Sequence, residues 1–483
     1  MSSSFSFYWH DYETFGRSPR RDRPAQFAGV RTDAELSEIG APKMMFCRPA
    51  PDYLPEPEAC LLTGILPQQC LEQGLVEHAF AAEIEAELAF PGTVGVGYNS
   101  IRFDDEVTRF LFWRNLIDPY AREWQNECGR WDLLDVLRCT FALRPDGIEW
   151  PRNDEGQPSF RLEHLTRANG LAHDSAHDAL SDVRATIAMA RLVKSRQPRL
   201  WDFCLRLRSK QAVVAEMNIA QQAGQPFLHV SGMYGTARGC LALVWPLAPH
   251  PTNKNEVIVW DLAEDPSELF GLGVDEIRSR MFGRSEDLPA GQRRLSIKTI
   301  HLNKSPIVIA QMKTLSGERA ARWGIDLPLA LRHAATAARH GPSMAGIWPD
   351  VFQRSVVLPE PDVDEDLYGG FIPDDDRRTL QRLRELSPEQ LAERTPGFAD
   401  QRLDELLFRF RARNFPHTLN GPERQRWELH RAERLHGGAG GAQTLPAYFE
   451  HIDELVEARD DERSQYILGE LIEYATEIAP ERT

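Results

Sequence analysis

The stretch Phe5-Ser-Phe-Tyr-Trp-His-Asp-Tyr-Glu13 is apolar or aromatic from Phe5 to Trp9 apart from Ser6, the composition of a strand covered on both faces in a mixed or parallel sheet. Asp11 and Glu13 stand at its end. Side chains alternate along a strand, so residues two apart point the same way. Both carboxylates therefore face one site and Tyr12 faces the other, a spacing that can chelate a cation.

A second apolar strand, Thr93–Gly97, leads through the turn formers Tyr98, Asn99 and Ser100 into a helical pattern carrying Val107, Phe110, Leu111 and Trp113. Asp104 falls near the start of that helix, where exposed N–H groups and the helix dipole favour a carboxylate. From there it projects toward the end of the preceding strand and can meet Asp11 and Glu13. Further on, helical spacing marks residues 162–169 and 179–193, the latter through Leu180, Val183, Ile187 and Ala190. His177 precedes this second helix and Asp182 lies in its first turn. In one continuous helix the two would stand about 140° apart, so a loop-borne His177 converges with Asp182 more readily.

Phosphodiester cleavage needs a water made nucleophilic at neutral pH, an in-line geometry and stabilised charge on the attacking and leaving oxygens. Two divalent cations supply all three, and oxygen ligands suit Mg²⁺, with Mn²⁺ as a substitute. The reading is that Asp11, Glu13, Asp104 and Asp182 hold two ions, that Glu13 also touches the terminal nucleotide, and that His177 takes the proton from the attacking water. A histidine suits that task because its reference pKa is about 6.5. Taken singly, each residue has a plainer explanation as a turn acid, a helix cap or a surface histidine. Their conjunction is what points to a metal-dependent nuclease.

Composition sets the frame. At 483 residues the chain exceeds one ordinary core. A net charge of −16 argues against a generally basic nucleic-acid coat, so any DNA-binding surface is local. Seven cysteines without a C-x-x-C pair fit a reducing compartment. No apolar run approaches the ~20 residues of a membrane span, and Met1-Ser-Ser-Ser-Phe5 carries no basic stretch followed by a long apolar core, so the expectation is a cytoplasmic protein without membrane contact. Beyond about Phe203 short β-like runs appear at 227–230, 241–245, 257–260 and 307–309. From Asp362 the chain is acidic and loop-like, then helical, with a capping box at Ser387-Pro-Glu-Gln390.

The segments His10-Asp-Tyr-Glu-Thr-Phe-Gly16, Tyr98-Asn-Ser-Ile-Arg-Phe-Asp-Asp-Glu106 and Ala176-His-Asp-Ala-Leu-Ser-Asp182 resemble the three motifs of the DnaQ-like, DEDDh exonuclease superfamily, and Leu62-Thr-Gly-Ile65 resembles its terminal-nucleotide loop. Arg23-Pro-Ala-Gln-Phe27, Arg130-Trp-Asp-Leu-Leu-Asp-Val136, Pro158-Ser-Phe-Arg-Leu-Glu-His-Leu165 and Arg411-Ala-Arg-Asn-Phe-Pro416 look like the bacterial exonuclease I family of single-strand-specific 3′→5′ deoxyribonucleases. The interval from Asn99 to Asp104 is one residue longer than the general superfamily pattern.

The resemblance spans essentially the whole chain. It implies an α/β architecture: an RNase H-like (DnaQ-like) exonuclease domain with a mixed sheet over 1–203, a small β-barrel-like domain over 204–352 that closes the DNA channel, and a C-terminal helical domain over 353–483. It carries metal binding to Asp11, Glu13, Asp104 and Asp182, base function to His177, and substrate contact to Arg161, Leu62 and Thr63. It also implies release of 5′-mononucleotides in DNA repair and recombination, binding of the acidic tail of single-stranded DNA-binding protein, and a monomer.

Binding a single strand without regard to sequence combines cations for phosphates with aromatic faces for bases. Arg109, Tyr120, Trp124 and Arg138 offer that interleaving and are the expected DNA track, against a plainer reading of core aromatics and solvated arginines. Around Phe408-Arg-Phe-Arg-Ala-Arg-Asn-Phe415, Leu403, Leu407 and Phe410 recur at packing intervals, so most of the aromatics are expected in the core and the arginines along one edge. The rival activities are a 3′→5′ exonuclease acting on RNA or proofreading a polymerase, and an idle single-strand-binding scaffold. A zinc protein would need clustered Cys and His ligands, which the chain lacks.

Overall fold

The computed structural model describes residues 5–173, 178–218, 224–353 and 360–481. The chain divides into two compact units, one formed by residues 1–129, 174–184 and 359–483, the other by 130–173 and 185–358.

In the first unit the strands β1 (Ser6–Thr14), β2 (Pro24–Thr32), β3 (Lys43–Phe46) and β4 (Thr93–Gly97) run in the order β3-β2-β1-β4. β1 pairs antiparallel with β2 and parallel with β4, and β2 pairs antiparallel with β3, which makes the sheet mixed. Asp11 and Glu13 lie at the C-terminal end of β1, as expected, with one further residue, Thr14. The strand continues to Thr14 because the register Asp11↔Ala28 and Glu13↔Gln26 keeps its backbone bonded to β2, with a bulge only after Glu13.

One face of this sheet is covered by helices. Tyr8, Tyr12 and Phe27 pack with Phe80, Ala81, Ile84 and Leu88 of α3 (Glu77–Leu88) and with Val107, Leu111 and Phe112 of α4 (Asp104–Arg114). These belong with two shorter helices, α1 (Pro57–Thr63) and α2 (Pro67–Gln73), each begun by a proline at the first helical position. This is the expected RNase H-like arrangement.

The link from β4 to α4 is tight. A Cβ at Gly97 would lie 2.6 Å from the Ser100 Cβ and 2.9 Å from the His10 carbonyl oxygen, so only glycine lets the chain pass β1 here. Asn99 then adopts left-handed φ of 64° and a 3₁₀ turn, Ser100–Arg102, accommodates the long interval before Asp104 opens α4.

The C-terminal helices belong to the same compact unit. Tyr448, Ile452, Leu468, Leu471 and Tyr474 of the hairpin helices Leu445–Glu457 and Glu462–Glu477 share a core with Phe15, Tyr53, Leu54, Cys60, Ile65 and Cys70. The expected capping box forms at Ser387 and Gln390.

The arginines of Arg402–Asn414 depart from the expectation. Arg409 and Arg411 are buried and Arg413 is nearly so, because Asp362, Asp364, Asp52, Glu405 and Glu423 pair with them inside the unit. They form internal structure where an exposed edge was expected.

The chain crosses between units within β5 (Gly129–Asp132). The second unit contains an antiparallel five-stranded sheet of β6 (Phe227–Val230), β7 (Leu241–Pro249), β8 (Glu256–Asp261), β9 (Ile297–His301) and β10 (Ile307–Ile309), ordered β10-β6-β7-β8-β9. It occupies the expected place of the small barrel. All seven cysteines are free, and among the described residues no helix is long and apolar enough to cross a membrane.

Candidate active site

Asp11 and Glu13 project from one side of β1, each half-buried, while Tyr12 turns into the core and bonds the Thr108 hydroxyl at 3.0 Å. Asp182 lies in the first turn of the helix Ala179–Arg196. Carboxylate oxygens of Asp11, Glu13 and Asp182 all lie within 4.8 Å of one another. Asp104 joins from the first turn of α4, and its Oδ1 accepts the main-chain N–H of Tyr12 at 3.1 Å. The helix bearing Asp182 is anchored to β2, where the Gln26 side-chain oxygen accepts the Ala179 N–H at 3.2 Å.

Such crowding of like charges is costly without a cation. Burial, followed by the fields of Asp104, Glu13, Asp182 and Asp178, pushes Asp11 well above the usual carboxylate range. Burial, followed by Asp182 and Asp178, raises Glu13 to about 8. Four carboxylates that repel one another and offer only oxygen donors fit hard divalent cations. Asp178 was not singled out from the sequence. Its carboxylate accepts the Ser181 N–H at 3.0 Å, and the readable signal is the Asp178-Ala-Leu-Ser181 helix start. His177 lies outside the described residues.

Leu62 and Thr63 close α1, which ends on Gly64 in the left-handed conformation (φ 76°). Leu62 is 58% exposed. Both line a cleft of about 540 Å³ together with Glu13, Tyr12 and Phe103, so the end of α1 and the Glu13 carboxylate share one opening.

The expected DNA track divides. Trp124 is 66% exposed. Arg109 is only 5% exposed, and its guanidinium is taken by Glu123 (2.7 and 2.9 Å), Glu106 (2.7 Å) and the Tyr368 hydroxyl (3.1 Å). This corrects the expectation for Arg109: its charge is spent inside the protein. Half-buried Tyr120 lies beneath the same guanidinium, 5.2 Å from carbon to ring centre. In the second unit, Arg138 and Arg161 line one cavity of about 860 Å³ with Arg152, Arg167 and His164. Arg138 is paired with Asp135 at 2.7 Å, and Arg161 is largely exposed, 3.8 Å from Glu163. Arg152 and Arg167 escaped the sequence reading because isolated surface arginines carry no local pattern.

The mixed sheet and its carboxylate cluster define a hydrolytic exonuclease of RNase H-like fold, a class that needs divalent metal ions. An exonuclease model matches residues 8–190, an exonuclease I SH3-like domain 208–354 and an exonuclease I C-terminal domain 361–478. Exodeoxyribonuclease I of Escherichia coli K12 is 46% identical over 475 residues, covering 98% of each chain. That of Haemophilus influenzae is 45% identical over 91% of this chain and 92% of its own. Among solved structures, exonuclease I from Methylocaldum szegediense superposes with a TM-score of 0.93 at 49% identity, covering 98% of this chain and 99% of that one. E. coli exonuclease I in complex with a dA16 oligonucleotide gives a TM-score of 0.93 at 45% identity, covering 98% and 100%. The chain belongs to the exonuclease I family.

Proposed function

We propose that the chain is a single-strand-specific 3′→5′ exodeoxyribonuclease that releases 5′-mononucleotides and acts in DNA repair and recombination. The observation that carries this reading is the approach of Asp11, Glu13 and Asp182 to within 4.8 Å of one another, with Asp104 fixed beside them by the Tyr12 main chain. These four residues would hold two Mg²⁺ ions, with Mn²⁺ as a substitute. When bound, the ions supply positive charge for the attacking water and for the leaving oxygen.

The rest of the work falls to the chain itself. β1 and α4 fix the carboxylates on rigid elements, so little reorganisation is needed at the moment of reaction. Leu62 and Thr63 shape the opening that receives the 3′-terminal nucleotide, and Glu13 borders the same opening. By its place in the third motif His177 takes the proton from the attacking water. Arg161 and Arg138, on one cavity of the second unit, contact phosphates, and exposed Trp124 stacks on a base. The three domains are assigned as 1–203, 204–352 and 353–483, close to the spans of the matching family models. By family likeness the enzyme is a cytoplasmic monomer that binds the acidic tail of single-stranded DNA-binding protein.

Time-resolved product sizing tests the whole reading. Single-stranded DNA labelled at its 5′ end should shorten progressively, and a 3′ label should appear at once as mononucleotide. Duplex DNA and RNA should persist, and EDTA should stop the reaction. Digestion from the 5′ end, or equal digestion of RNA, would overturn it.

A further inference from the structure

Three acids in a row open α4: Asp104, Asp105 and Glu106. Their carboxylates go to three different places. Asp104 accepts the Tyr12 N–H beside Asp11 and Glu13, Glu106 pairs with Arg109 at 2.7 Å, and Asp105 turns inward, where the Arg122 guanidinium binds its Oδ1 at 2.7 Å. Successive residues of a helix stand about 100° apart, so the three acids can be served separately at only one rotation of α4. The helix dipole welcomes all three in the first turn and does not choose which of them faces the cluster.

Arg122 belongs to a short 3₁₀ turn, Ala121–Glu123, that grips α4 at two points. Arg122 takes Asp105, and its neighbour Glu123 takes Arg109 at 2.7 and 2.9 Å. Asp105 and Arg109 are four residues apart on one face of the helix, so adjacent residues of the turn, of opposite sign, meet opposite charges one helical turn apart. The 3₁₀ turn is itself fixed, because the Asp118 carboxylate accepts the N–H groups of Tyr120 and Ala121 at 2.9 and 3.1 Å. A clamp with two points sets the rotation of α4 about its axis as well as its position.

The inner point of the clamp lies behind the carboxylate cluster. Asp105 is 1% exposed and Arg122 2%, and Nε and Nη1 of Arg122 are buried with no further hydrogen bond among the described residues. A Cβ at Gly95 of β4 would lie 3.5 Å from Arg122 Nη1 and 3.7 Å from Nε2 of His10, the residue before Asp11. One guanidinium thus reaches both elements that carry the clustered acids, α4 through Asp105 and β1 beside His10. A buried pair of this kind has no water to replace a missing partner, so its geometry is enforced.

Resting on the nuclease reading above, we propose that Arg122 is a positioning residue for the metal site: by binding Asp105 it sets the rotation of α4 at which Asp104, and not its neighbours, faces Asp11 and Glu13. Arg122 acts through Asp104 and holds no ion itself.

Calorimetric titration of the EDTA-treated full-length protein with Mn²⁺, alongside thermal melting, tests the proposal. Charge and geometry predict opposite signs. Arg122→Met removes a cation near the carboxylates, which by charge alone tightens cation binding, whereas loss of position loosens it. Arg122→Met should weaken Mn²⁺ by about ten- to a hundredfold, the usual range for groups that hold metal ligands in place, and should melt lower. The double variant Asp105→Asn with Arg122→Met strands no charge, so it should melt closer to the parent protein yet bind Mn²⁺ as weakly as the single variant. Arg122→Lys keeps the cation and should recover part of the affinity. Unchanged or tighter Mn²⁺ binding by the double variant, or affinity that returns together with the melting temperature, would overturn the proposal. A parent protein that binds no Mn²⁺ would sink the metal-site reading along with it, whereas a parent that binds while its variants match it rejects only the role of Arg122.

Discussion

The main-chain N–H of Tyr12 donates to Asp104 Oδ1 at 3.1 Å, so the peptide between the two β1 carboxylates itself positions the carboxylate of α4. The cluster is assembled by backbone geometry before any cation arrives. Its charges are held together against their mutual repulsion, and the energetic consequences of that can be measured.

Removing one charge should separate activity from stability. Asp182→Ala is expected to lower digestion of single-stranded DNA by at least about 100-fold, at or beyond the usual limit for groups that merely orient a metal ligand. Without metal the variant should melt no lower than the parent protein, since Asp182 raises the pKa of both Asp11 and Glu13. Normal digestion by the purified variant, followed by gel or by calorimetry of its melting, would refute the assignment.

The raised Glu13 sets a pH dependence with a definite sign. An unfolded glutamate releases its proton near 4.5, whereas folded Glu13 keeps its proton up to about 8. Between those values the folded state binds more protons, so stability of EDTA-treated protein should fall as pH rises through that window. Divalent cations compete with the proton for the carboxylates. The gain in melting temperature on adding Mg²⁺ should therefore be larger at the upper end of the window than at the lower, and proton release should accompany binding. A metal-free melting temperature that rises from pH 5 to pH 8 would contradict this.

What could be read from the sequence was what is encoded locally. β4, α4, the helix bearing Asp182 and the capping box at Ser387 follow from periodicity, turn formers and cap residues within a few positions, and all stand where the pattern put them. The extent of β1 was legible but its neighbour was not, since the pairing Glu13↔Gln26 with β2 depends on a register that no short window shows. Arg109 was misread for a related reason. Its neighbours in sequence are aromatic, but its partners include Glu123, 14 residues on, and Tyr368, 259 residues on. The arginines at 409, 411 and 413 likewise find most of their acids at distant positions, Asp362, Asp364, Asp52 and Glu423, with only Glu405 close by in sequence.

One of those arginines should be worth several kilocalories. Arg413 pairs with Asp52 at 2.7 Å and also with Asp364, all three almost wholly excluded from water. Burial opposes ionisation of Asp52, but the Arg413 guanidinium and the His430 ring, whose Nε2 lies 3.6 Å away, overcome it and hold the acid well below the usual range. Arg413→Ala leaves buried Asp52 without its arginine, while Asp364 keeps Arg23 and Arg409, and should cost about 3–5 kcal/mol. The double variant Asp52→Asn with Arg413→Ala should lose less than the sum of the two single losses. Urea unfolding of the three variants measures this, and a single-variant cost under about 1 kcal/mol would show the pair to be dispensable.

Arg109 and Trp124 should exchange the roles that their sequence context gives them equally. Arg109 is enclosed by Glu106 and Glu123, so Arg109→Ala leaves both acids without their cation and should lower the unfolding midpoint while single-strand affinity stays within about twofold. Trp124, with two-thirds of its surface in solvent, contributes little to packing, so Trp124→Ala should leave the midpoint unchanged. Its loss should instead weaken single-strand binding by about 1–3 kcal/mol, the range for one base stacked on an aromatic ring. Fluorescence anisotropy with a labelled oligonucleotide, paired with thermal melting, reads both effects. If Arg109→Ala weakens DNA binding as strongly as Trp124→Ala without loss of stability, the buried ion pairs are not what fixes the role of that arginine.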